Sequence, residues 1–105
     1  MASPTVTGVV ALMLEHHRNL FPTGSDPRNS TVKALLAHNA NDLGNAGPDF
    51  QFGYGSVKAM DTINFMSTRQ YTEQEIVQGG VVTYNIDVAP GEGEFQATLA
   101  WDDAP

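Results

Sequence analysis

The side chains of this sequence with types suited to chemistry are Ser3, His16, His17, His38 and the carboxylates Asp42, Asp49, Asp102 and Asp103. A serine hydroxyl can attack a carbonyl when an imidazole takes its proton and a carboxylate orients that imidazole. Imidazoles can also ligate zinc, and clustered carboxylate oxygens can hold calcium. The spacing here favours neither metal. His16 and His17 are adjacent, whereas two ligands clamp zinc from one helix face at i, i+4. Calcium takes roughly six to eight oxygens, and no Asp-x-Asp-x-Asp loop is present. The four aspartates therefore read as turn formers, with calcium the one ion they leave open. Ser3 stands just before Pro4, the arrangement of a helix cap followed by proline at the first helical position. His16, His17 and His38 fall near predicted helix ends, where a cation complements the helix dipole and water solvates it. Phe95 and Trp101 sit on an alternating segment and read as core residues rather than a ligand platform.

Composition narrows the classes of partner. The 105 residues carry a formal net charge of -7, with 5 basic against 12 acidic side chains. Such a chain repels phosphate backbones and anionic headgroups, which argues against nucleic acid and membrane partners. There are no cysteines, so neither disulfides nor thiol chemistry is available. The apolar run 6–14 falls short of the roughly 20 residues of a membrane span. No basic segment precedes it, so it does not read as a signal peptide. Charged residues are only 16% of the chain. That scarcity suits either a surface of uncharged polar groups or one normally covered by further polypeptide.

The elements that would position these residues divide into two parts. Residues 4–20 read as a helix. Val6, Val9, Val10, Ala11, Leu12, Met13 and Leu14 cover most of its circumference, the pattern of a helix buried on nearly all sides. Gly8 inside it costs about 1 kcal/mol relative to alanine, a cost that a close backbone neighbour would explain. Pro22, Gly24 and Pro27 break the chain. A second helix is expected over 30–38, capped by Asn29 or Ser30, with Val32, Leu35 and Leu36 on one face. Residues 39–51 are rich in Asn, Asp and Gly and read as loop. Gly53-Tyr54-Gly55 is a tight turn, and Ser56 is the expected cap of a third helix over 57–66, with Val57, Met60, Ile63 and Met66 inward. The period then changes. Residues 71–77 read as a weak strand and Gly79-Gly80 as a turn. Val82, Tyr84, Ile86 and Val88 alternate with polar residues, as do Phe95, Ala97, Leu99 and Trp101 across a turn at 90–93.

Met1-Ala2-Ser3-Pro4 followed by the apolar helix with Gly8 resembles the segment after the nucleophile in subtilisin-like serine proteases. The family pattern is Gly-Thr-Ser-Met-Ala-x-Pro, and Met1, Ala2 and Pro4 match its defined positions after the serine. Val32-Lys33-Ala34-Leu35-Leu36 resembles the next family helix. Gly53-Tyr54-Gly55-Ser56-Val57 resembles the turn before the last helix of the protease domain. The three motifs occur in family order and span residues 1–66. The closing words from Phe95 through Trp101, Asp102, Asp103 and Ala104 to Pro105 resemble a strand and turn of the β-sandwich domain appended to some subtilases.

The resemblance implies an α+β fragment: helices of a subtilisin-like α/β domain over 1–68, then antiparallel strands of a β-sandwich, jelly-roll-like domain over 69–105. It implies a parent that hydrolyses peptide bonds and is extracellular. In this family the carboxylate, the histidine and the oxyanion asparagine lie upstream of the serine, and the serine falls just before Met1. No catalytic, cofactor-binding or metal residue is therefore assigned to this chain, which is expected to be inactive alone. Met1 is either the family's methionine beside the nucleophile or a start residue. The implied partners are the remainder of the protease domain or another copy of the chain, with a peptide or protein substrate in the parent. A self-associating or partner-binding module is the alternative. A carbohydrate-binding β module with a helical lead is a third reading, carried by the tail alone.

Overall fold

The computed structural model describes residues 2–91, 93 and 95–103. Met1 of the opening motif, Glu92 of the turn at 90–93, Glu94, and Ala104 and Pro105 of the closing words lie outside the described residues.

The described residues form three helices, α1 (Ala2–Leu20), α2 (Asn29–Asn39) and α3 (Ala59–Thr68). α3 packs against both α1 and α2. α1 begins two residues earlier than the proline suggested, so Ser3 lies inside the first turn and is not its cap. Its carbonyl accepts a 2.9 Å hydrogen bond from the Thr7 hydroxyl. Val9, Met13 and His17, spaced four apart, form the buried stripe of α1. The core is Val9, Met13, Leu35 and Met66, flanked by Val10, Val32, Leu36, Val57, Ala59, Ile63, Phe65 and Tyr71. Burying a side chain such as Leu35 or Met66 stabilises the unit by about 1.5–3 kcal/mol. Thr62 is fully buried among them, and its hydroxyl is satisfied by the Lys58 carbonyl at 2.7 Å.

Two helical expectations need correction. The expected all-round enclosure of α1 is not realised among the described residues. Gly8, Ala11, Leu12 and Glu15 share an open face, Leu12 is 51% exposed, and beyond the helix's own local backbone no described atom lies within 4 Å of where a Cβ on Gly8 would stand. Met60, expected inward, is exposed because α3 turns Thr62 and Met66 to the core instead.

The loop between α2 and α3 is closed at its base by an antiparallel bridge. Asn41 and Ser56 exchange backbone hydrogen bonds of 2.8 and 2.9 Å. A smaller bridge, Asp49 with Gly53, lies within it. Ser56 is thus a bridge residue, and Lys58 is the N-cap of α3 without a side-chain bond. Gly55 has φ +108°, and a Cβ there would come within 2.2 Å of the Asn41 carbonyl oxygen. Only glycine fits that crossing.

The antiparallel β-sandwich expected for the last third is contradicted. No residue described beyond α3 belongs to a strand or sheet. A turn does form, with the Gly80 N–H donating to the Val77 carbonyl at 2.9 Å. The alternating side chains Val82, Tyr84, Ile86, Val88, Phe95, Leu99 and Trp101 are instead exposed. Alternation assigns side chains to faces but supplies no ladder partner. A strand pair needs further strands or a helix over its apolar face, and among the described residues these side chains stay largely open to solvent.

Candidate functional site

The chemistry-bearing side chains are placed apart from one another. His16 on α1 shares a 2.8 Å hydrogen bond with the Ser67 hydroxyl on α3, through Nε2. A serine beside an imidazole is the start of a nucleophilic pair. This pair is exposed, the Ser67 hydroxyl also reaches the Ile63 carbonyl at 3.5 Å, and no carboxylate pairs with His16 among the described residues. Without an orienting acid or donors aimed at an oxyanion, the contact is a surface bond between two helices.

His17 departs from the solvated reading. It is 9% exposed, and its ring packs on Phe21 with centroids 4.9 Å apart. His38 stacks on Phe65 at 4.9 Å and bonds the Thr98 hydroxyl through Nδ1 at 3.0 Å. Ser3, four residues ahead of Thr7, meets none of the three histidines.

Asp42 and Asp49 act locally. Asp42 accepts the Gly47 N–H at 2.6 Å, and Asp49 accepts those of Gln51 and Phe52 at 2.9 and 2.6 Å. These are side-chain-to-backbone turns. Asp102 pairs with Lys33 at 3.9 Å on the surface, and Asp103 is exposed beside it. Among the described residues no three His, Cys, Asp or Glu side chains converge as a metal cluster. Phe95 and Trp101, expected in a core, are open to solvent; Trp101 borders a shallow apolar groove with Val6, Ala37, Tyr54 and Leu99.

One part-buried polar junction is one the sequence did not signal. α2 lacks a side-chain cap of its own: Arg28 occupies the cap position. Its N–H donates instead to Glu73 Oε1 at 2.9 Å, and the Thr31 hydroxyl donates to the same oxygen at 2.5 Å. The Arg28 guanidinium lies 3.8 Å from Glu73 and 3.2 Å from Glu75. Burial, the largest influence, raises the Glu73 pKa. The Thr31 bond, the Arg28 N–H, the Arg28 charge and His17 together outweigh it and hold the carboxyl below its ordinary value. Next to it, burial pushes the Tyr71 phenol up, with the Glu73 charge adding and Arg69 opposing. Arg69 ends α3 in the left-handed conformation with φ 57°, and its guanidinium sits 4.6 Å over the Phe21 ring. Glu73 and its partners lie 42 to 45 positions apart, so no local pattern could have marked them.

These residues build a helical scaffold with a loop closed at its base, and among the described residues no hydrolytic centre is assembled. A model of the subtilase family of S8 peptidases matches residues 1–55, just over half of the 105 residues, and the chain belongs to that family. The match takes in α1, α2 and the turn ending at Gly55. The chain is also 41% identical over 64 residues to an extracellular serine protease of Serratia marcescens. That alignment covers 61% of this chain and 6% of the relative's length. No solved structure matches.

Proposed function

We propose that this chain is the part of a secreted subtilisin-like serine endopeptidase that follows its nucleophilic serine, and that it supports catalysis without performing it. The observation that carries the reading is the family match over residues 1–55, which begins on the Met-Ala-x-Pro motif. In the whole protein the serine would precede Met1, at the N-terminus of α1. A helix N-terminus there favours developing negative charge. The carboxylate, imidazole and oxyanion donors would come from upstream polypeptide. The name of the Serratia relative supports an extracellular parent. Within the chain, we place the boundary between the protease part and a following unit after Thr68, where α3 ends.

A pure preparation of the chain should show no turnover of casein or a chromogenic peptide. Activity that disappears in Ser3→Ala would overturn the proposal. So would a reading frame in which the codon before Met1 specifies something other than serine.

The open face of α1 favours a second, compatible statement about partners. Leu12 and the empty space over Gly8 suit close packing by another surface, and apolar area left in water is unfavourable by about 25 cal/mol per Å². We take that surface to be the rest of the protease domain, with a second copy as the fallback when the chain is alone. Sedimentation should then show association that falls when the upstream polypeptide is added. A monomer stable to dilution and indifferent to that polypeptide rules it out.

A further inference from the structure

We propose that residues 69–75 form an acid-released latch, in which the Glu73 carboxylate caps α2 and straps the end of α3 to the start of α2. The segment is anchored at three points. Arg69 lies over Phe21 at the end of α1. Tyr71 packs against the core cluster. Glu73 takes the Arg28 N–H and the Thr31 hydroxyl.

Arg28 and Thr31 are the cap and third positions of α2, so Glu73 does from a distance what a glutamate at the third position does in a capping box. The carboxylate also faces the positive end of the helix dipole. Hydrogen bonds to an ionised acceptor are about twice as strong as neutral ones. Protonation removes the charge that makes Glu73 a good acceptor and leaves Arg28 only Glu75, whose side chain is 85% exposed. The charged and titratable groups around Glu73 are His17 from α1, Arg28 from the loop before α2, and Arg69, Tyr71 and Glu75 from its own segment. Below the carboxylate range the Arg28 guanidinium, 3.8 Å away, also loses this counter-charge, which releases the strap.

The test uses the full chain labelled with 15N. In the unmodified protein the Arg28 amide resonance should titrate with the Glu73 carboxyl, and its exchange protection should fall as that group protonates. Glu73→Ala should speed exchange of the first-turn amides of α2 about tenfold at neutral pH. Glu73→Gln retains an acceptor of the same shape, so it should keep the helices by circular dichroism yet abolish the acid titration at Arg28. An Arg28 amide that does not titrate, or that titrates identically in Glu73→Gln, overturns the latch. So does an unmodified chain with no protection at the start of α2.

Discussion

Met66 and Leu99 are apolar side chains of similar size with opposite surroundings. Met66 is 0% exposed at the centre of three helices, whereas Leu99 is 80% exposed on a segment without a strand partner. The contrast extends to their regions. α1, α2 and α3 satisfy most of their backbone within each helix, and their buried stripes pack against one another. Extended segments such as 81–89 and 95–101 would need a ladder with another strand to satisfy theirs within the protein. Equal hydrophobicity therefore gives a core in one region and an open surface in the other. A helix carries its hydrogen-bond partners in its own sequence, and a strand does not.

The largest effect should come from cutting the helical core. Met66→Ala should lower stability by about 2–5 kcal/mol in a urea melt. Leu99→Ala should stay within about 0.5 kcal/mol, the range of exposed sites. Comparable losses at both positions would break the comparison and place the tail in a packed unit.

The loop crossing comes next. Gly55→Ala forces a Cβ into the Asn41 backbone at a positive φ, a strain of about 1–3 kcal/mol on the φ alone. Thermal melting should drop accordingly. Gly47, also at positive φ but with nothing near its Cβ position, should be hurt less by the same change.

A smaller effect should follow pH. The folded pKa of Glu73 is depressed, so its contribution is fully present above the unfolded glutamate value of about 4.3 and is lost as pH falls through the lower folded value. Because the side chain is partly solvated, the loss should be about 1 kcal/mol or less. It should vanish in Glu73→Gln, as read by urea midpoints from pH 6 down to pH 3. The smallest effect concerns the tie between regions. The exposed Lys33–Asp102 pair at 3.9 Å should contribute nothing measurable, so Lys33→Ala should leave the melting midpoint unchanged.

Much of the helical part was legible. Pro22, Gly24 and Pro27 ended one helix, the polar loop separated two more, and Leu35 and Met66 announced the core. The turn at Gly53-Tyr54-Gly55 was also readable, since closely spaced glycines permit a crossing other residues cannot make. What failed did so for physical reasons. Ser3 and Ser56 looked like caps, but an early helix start and the Asn41 bridge took those positions. Met60 sat at a plausible spacing, yet the face of α3 was chosen by what α1 and α2 offered it. His17 looked solvated because its burial depends on Phe21 and on segments distant in sequence.

The sequence by itself determined the family, through the order of its motifs, and the existence of three helices, through periodicities that are local. The tertiary structure alone decided that Glu73 caps a helix 45 positions earlier, that His17 is enclosed, and that the described residues of the alternating tail form no strand. Local pattern fixes what a segment can satisfy within itself. Groups that need a distant partner are settled only when the chain brings that partner near, or fails to.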